Sequence, residues 1–224
     1  MTFAGIPIDT FQFLADLKAN NSKVWFDANR DRYEAYYKKV SLDLIDALAD
    51  DMQSLDLPLR AEARLNGSFR RVNRDVRFSQ DKSPYHARIH LIFWHGDHPN
   101  RSPGMHIVVH PEGLGYGAGV WGFSPAILDG YRRRIMDNDD RADLLTAAEE
   151  AAHIECDWDT PDLKKFPKGY KSDQDWEHLL RRKSFVMRTL GSPMKPEWLS
   201  TSYCCDGIMD LTRACLPLIK WLVR

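Results

Sequence analysis

Met105-His106-Ile107-Val108-Val109-His110-Pro111-Glu112-Gly113-Leu114-Gly115-Tyr116-Gly117-Ala118-Gly119-Val120 alternates with a period of two on both sides of a turn. Met105, Ile107 and Val109 make one apolar face, with His106 and His110 opposite. Pro111-Glu112-Gly113 predicts a hairpin turn. Beyond it Leu114, Tyr116, Ala118 and Val120 continue the apolar face. Gly113, Gly115, Gly117 and Gly119 take the other, a surface without side chains that a helix or a ligand can approach closely. Upstream, His86 to His95 follow the same rule, with Ala87, Ile89, Leu91 and Phe93 set against His86, Arg88 and His90. Successive half-buried strands of this kind predict an antiparallel sheet.

The flanks read as helix. Asp9 with Gln12 makes a capping pair before Phe11, Leu14 and Leu17, Asn20-Asn21 ends that helix, and Ser22 caps the next. Steps of three and four through Trp25, Tyr33, Val40, Leu44, Leu48, Met52 and Leu55 predict one long helix ending near Pro58. Ser124-Pro125 starts a helix to about Asp137, and another runs from about Asp140 to His153. Thr160-Pro161 repeats the device, Ser172 with Asp175 forms a capping box, and Ser184 to Leu190 returns to the sheet. A last helix carries Ile208, Leu211, Leu218 and Leu222 and is kinked or stopped near Pro217. The expected architecture is a single α+β domain over residues 1–224. Its mostly antiparallel sheet of about four to six strands packs with helices from both chain ends.

With 224 residues, 43% hydrophobic, the chain can bury a sizeable core. A net charge of −1 argues against a dedicated nucleic-acid binder. No run of about 18 apolar residues predicts a membrane span. Met1 to Ile8 has neither the basic nor the apolar region of a secretory signal. Cys156, Cys204, Cys205 and Cys215 have no metal or redox spacing, so they read as reduced, structural and cytoplasmic.

The near-neutral total hides blocks. Residues 60–88 hold eight basic side chains against three acidic ones, residues 163–188 hold eight against three, and residues 137–162 hold ten acidic groups and only Arg141. These blocks are either solvated faces whose charges pair across the surface or two segments converging on one anion-binding groove. The densest stretch, Arg74-Asp75-Val76-Arg77-Phe78-Ser79-Gln80-Asp81-Lys82-Ser83-Pro84-Tyr85, fits no ordinary helix or strand. Its site would be Arg74, Arg77, Lys82 and Tyr85, with Asp81 orienting an arginine, joined by Lys168, Tyr170 and Lys183. The ligand would be a small phosphorylated or carboxylate anion. Were it turned over, the cations would stabilise negative charge while Tyr85 or a carboxylate moved a proton. The alternative is a non-catalytic module whose basic groove meets an acidic partner or a nucleic-acid backbone. The residues name no cofactor.

Six of the eight histidines lie between His86 and His110. Adjacent strands can bring such rings together, but no Asp or Glu alternates with them on the same faces, so no metal site is expected. Ser79-Gln80-Asp81-Lys82 has the spacing of a Ser-x-x-Lys nucleophile but lacks the companion motifs. It reads as a turn in which Asp81 neutralises Lys82.

Phe11-x-Phe13-Leu14-x-x-Leu17-x-x-Asn20-Asn21-x-x-x-Trp25-Phe26-x-x-Asn29-Arg30-x-x-Tyr33 resembles the opening of a family called domain of unknown function 2461. So do Arg74-Asp75-x-Arg77-Phe78-Ser79-x-Asp81-Lys82-x-Pro84-Tyr85, Pro167-Lys168-Gly169-Tyr170 and Leu179-Leu180-Arg181-Arg182-Lys183-Ser184-Phe185, in that order. The resemblance spans roughly Phe11 to Leu190. It implies a single soluble domain and brings no activity, cofactor or catalytic residue with it. His86 stands where the family pattern favours lysine.

Overall fold

The alternating stretch folds as a meander. In the computed structural model, which describes residues 3–191 and 193–224, β1 (Ile89–Trp94), β2 (Gly104–His110) and β3 (Gly113–Val120) pair antiparallel in succession. β4 (Cys156–Trp158) and β5 (Phe185–Thr189) complete a five-stranded sheet of order β1-β2-β3-β5-β4, every pair antiparallel. The three residues of β4 lie in the acidic stretch and are too few to show a period. Their pairing with Met187 to Thr189 is what makes them a strand. Met1 and Thr2, part of the stretch read for a secretory signal, lie outside the described residues.

Ahead of the sheet come α1 (Ile8–Ala19), α2 (Lys23–Ala28), α3 (Arg30–Tyr33), a π-helical segment Glu34–Lys39 and α4 (Val40–Gln53). The single long helix expected from Trp25 to Leu55 is therefore interrupted. At Asn29 (φ −115°) the side-chain amide donates to the Trp25 carbonyl at 2.9 Å, ending α2. The wide turns that follow bring Tyr37 inward, where its hydroxyl donates to the Arg88 carbonyl at 2.8 Å. Ser22 caps α2 through the Trp25 amide, as expected. The Asp9–Gln12 capping pair does not form: α1 starts directly after Pro7, and Gln12 instead donates to Asp16.

After the meander, α5 (Pro125–Met136) begins with Ser124 accepting from the Ile127 amide, and α6 (Asn138–Ala152) is capped by Asp137. Thr160-Pro161 starts no helix. Ser172 accepts from Gln174 N–H rather than from a helical amide, and the segment Asp175–Arg181 is a 3-10 helix. The last helix, α7 (Cys204–Val223), runs through Pro217 without stopping.

The two sheet faces have different fates. Ile89, Leu91, Phe93, Met105, Ile107, Val109, Leu114, Ala118, Phe185 and Met187 are buried in one core with residues of α1, α4 and α7. Each large apolar side chain enclosed there contributes roughly 1.5–3 kcal/mol. The opposite face, with the histidines and glycines, is not sealed by a helix. The outer edge of β1 is covered instead by the irregular segment 60–70: Arg60 N–H reaches the Trp94 carbonyl, Arg70 N–H the His90 carbonyl, and Ile92 N–H the Ser68 carbonyl. Among the described residues no helix is long and apolar enough to cross a membrane.

Candidate functional site

Strand register turns the open face into a floor with walls. His106 of β2 lies opposite Ile92 of β1 and Gly117 of β3, and Gly117 lies opposite Arg188 of β5. One step along, His90 is opposite Val108, which is opposite Gly115. The glycines of β3 thus form the floor of a trough, with histidines on one side and Arg188 on the other. The result is a cavity of about 800 Å³ bordered also by Lys18, Arg88, His110, Glu112 and Trp121. It adjoins a space of about 510 Å³ toward Arg74 and Tyr85, and one of about 370 Å³ toward Arg70 and His86. Among the described residues no helix fills this trough, and the glycine face stays open.

The glycines are there for different reasons. At Gly119 (φ +143°) a Cβ would overlap the Phe185 carbonyl, so the close approach of β5 requires glycine. At Gly115 a Cβ would find only His110 Nε2 at 3.4 Å and Thr189 Oγ1 at 3.5 Å, contacts that ordinary packing tolerates. Glycine at 115 keeps the floor low; glycine at 119 keeps the sheet together.

His90 Nε2 and His106 Nδ1 are 2.9 Å apart, the distance of one hydrogen bond between diagonal neighbours on the sheet. A bond between two imidazoles needs one donor and one acceptor, so the pair carries a single shared proton. Burial holds His106 down to about 4, with the Arg70 charge adding to it. Burial and then the His106 neighbour hold His90 well below the usual histidine range. His86 and His110 are lowered too, first by burial and then by Arg88. At neutral pH the imidazoles of this face are uncharged.

Arg70 borders the same histidines. Its Nη1 is sealed from solvent and has no hydrogen-bond partner, and burial lowers its pKa. Among the described residues the ion pairs of this basic block engage Arg60, Arg64, Arg74 and Arg77, and none engages Arg70 or Arg88. The other cations of the trough are engaged: Lys18 with Glu112, and Arg188 through two hydrogen bonds, at 2.8 and 3.0 Å, with Asp159.

The residues expected to form one anion site are distributed. Arg74, Asp81 and Tyr85 border the adjoining space. Arg74 is held by Asp81 and by the Ser83 carbonyl at 3.0 Å, so Asp81 orients this arginine rather than neutralising Lys82. Lys82 Nζ donates to the Val76 carbonyl at 3.0 Å, and Arg77 is exposed and paired with Asp75. Tyr170 donates its hydroxyl to the Asp129 carboxylate of α5 at 2.7 Å. Lys168, two residues before Tyr170, is exposed, and Lys183 donates its main-chain N–H to the Asp162 carboxylate. Lys183 precedes β5 at the end where Phe185 pairs with Val120, whereas Tyr85 precedes β1 at the end where Ile89 pairs with Val109. Register therefore places the two segments at diagonal corners of the sheet. The expected convergence of the two basic blocks is reduced to their last members, Arg88 and Arg188, which border one cavity.

Arg70 and Arg188 lay unremarked inside the basic blocks, and no local signal separates them from their neighbours. The histidine faces were legible from alternation, their contact was not. Among the described residues no group of three or more His, Cys, Asp or Glu is placed to hold a metal ion.

The family described as "Conserved hypothetical protein (DUF2461)" matches residues 9–221. No curated protein and no solved structure matches the chain.

Proposed function

The chain belongs to the DUF2461 family of conserved hypothetical proteins, and for this member we propose binding of a small phosphorylated or carboxylate anion in the glycine-floored trough. The observation that carries this reading is two arginines that enter no ion pair among the described residues, Arg88 bordering the trough and Arg70 bordering the space that adjoins it at His90. An oxyanion supplies the negative charge that neither guanidinium has in an ion pair, and Arg88 borders both spaces. Trp121, 48% exposed at the rim, offers a flat apolar surface to the rest of such a ligand. The unpaired cysteines support a reducing, cytoplasmic setting.

The test is a thermal-shift titration with inorganic phosphate and with citrate, on the parent and on Arg70→Met. Arg70 is half-buried and enters no ion pair among the described residues, so its replacement should leave the fold intact and the variant serves as a folded control. The parent should melt higher with one of the anions and the variant should not. A parent indifferent to both removes the reading.

A second reading, an interaction module for an acidic partner, is favoured by one feature. Phe78, 96% exposed, and the Arg77 guanidinium 5.9 Å from its ring project from the 74–85 loop. Binding through that tip would survive Arg70→Met and weaken with salt.

A further inference from the structure

Resting on the anion-binding reading, we propose that the His90–His106 pair is the proton-transfer element of this trough. It would take up a proton as an oxyanion binds and exchange it with a ligand oxygen through the shared hydrogen bond.

The geometry allows only two neutral arrangements. If His90 Nε2 carries the shared proton, His90 Nδ1 is a lone pair and His106 Nε2 is an N–H; if His106 Nδ1 carries it, the outer roles reverse. Among the described residues neither His90 Nδ1 nor His106 Nε2 has a hydrogen-bond partner in the protein, and both rings border the cavity. One outer nitrogen is therefore a base and the other an acid. A proton entering at the base lets the shared proton cross to the other ring, which releases its own outer proton. One proton arrives and one leaves, so each relay returns the pair to the charge from which it started. A site that needed only to hold a carboxylate would want donors alone, so the acceptor end points to an oxyanion that also carries a hydroxyl or a leaving-group oxygen.

The surroundings set the charge balance. Arg70 faces the pair from the segment along the edge of β1, with Arg88 and His86 from the start of that strand. His110 from β2, Arg188 from β5 and Lys18 from α1 border the same hollow. Of the carboxylates bordering these spaces, Asp75 is paired with Arg77 and Glu112 with Lys18, and Arg188 is paired with Asp159. Burial first, and then the charges of Arg70 and Arg88, keep the pair neutral. A bound dianion offsets those charges and favours the imidazolium.

Sulfate is the probe, because it does not titrate near neutrality and any proton taken up must go to the protein. Calorimetric titration at about pH 6, in two buffers of different ionisation enthalpy, counts those protons. The parent should take up a substantial fraction of one proton per sulfate. His106→Gln should lose most of the protons taken up per sulfate bound, whatever its affinity, and His90→Gln provides the same comparison should the first variant not fold. Sulfate binding without proton uptake, or uptake unchanged in both variants, overturns the proton-transfer role and leaves anion binding standing. A parent that binds none of sulfate, phosphate and citrate overturns both.

Discussion

Asn21 binds the main chain of Tyr85 in both directions: its Nδ2 donates to the carbonyl at 2.9 Å and its Oδ1 accepts the N–H at 3.0 Å. Phe26 stacks on the Tyr85 ring with centroids 4.1 Å apart. One side-chain amide and one aromatic pair thus join the helix corner after α1 to the loop that leads into β1. Asn21→Ala would leave both main-chain groups of a buried residue unpaired, and should destabilise the protein by about 1–3 kcal/mol in urea unfolding. At the floor of the trough, two glycines should respond differently. Gly115→Ala should fold normally and weaken phosphate binding, because its methyl rises into the cavity without displacing a strand. Gly119→Ala should fail to give soluble folded protein, because its methyl would collide with the Phe185 carbonyl at a φ of +143°. Soluble yield, and circular dichroism of whatever is soluble, separate the outcomes; equal behaviour would contradict the assigned roles.

The 74–85 loop is an element without regular structure that is nonetheless closed on itself. Arg74 N–H donates to the Pro84 carbonyl at 2.9 Å, and Asp81 accepts from both the N–H and the hydroxyl of Ser83 and from Arg74. Those bonds, Ser83 first and Arg74 after it, hold the Asp81 carboxyl down to about 2. A carboxylate whose pKa is depressed on folding stabilises the folded form above its ordinary value near 3.8. That contribution is lost as pH falls through about 2. Hydrogen exchange at the Ser83 amide should therefore stay slow at about pH 4 and accelerate relative to the core amides at about pH 2, with Asp81→Asn fast at both. The helical elements carry a related lesson. The Ser22 and Ser124 caps were readable because a cap spans a few neighbouring residues. The break at Asn29 was not, because the apolar rail through it persists while the backbone beneath changes its winding.

For the whole molecule, burying a neutral histidine pair ties stability to pH. The unfolded chain takes up protons near the ordinary histidine value, whereas folded His106 does not until about 4. The folded pKa is the lower one, so stability is complete above about pH 6.5 and falls as the pH drops toward about 4, by up to about 1.4 kcal/mol per pH unit. Urea unfolding at about pH 7 and about pH 5 should show this loss, smaller in His106→Gln and smaller in the parent with saturating sulfate. A parent equally stable at both pH values would contradict neutral burial of the pair. Sequence by itself determined the antiparallel meander, its apolar face, the glycine strip and the helices at both ends, since alternation, helical spacing and caps are properties of near neighbours. Which charges share a hollow was decided only by the tertiary structure. Strand register set Arg188 across the glycines from His106 and sent Lys183 to the far corner from Tyr85. The covering of the edge of β1 brought Arg70 to the histidines. Those placements depend on how distant segments pair, and no residue's immediate neighbours record that.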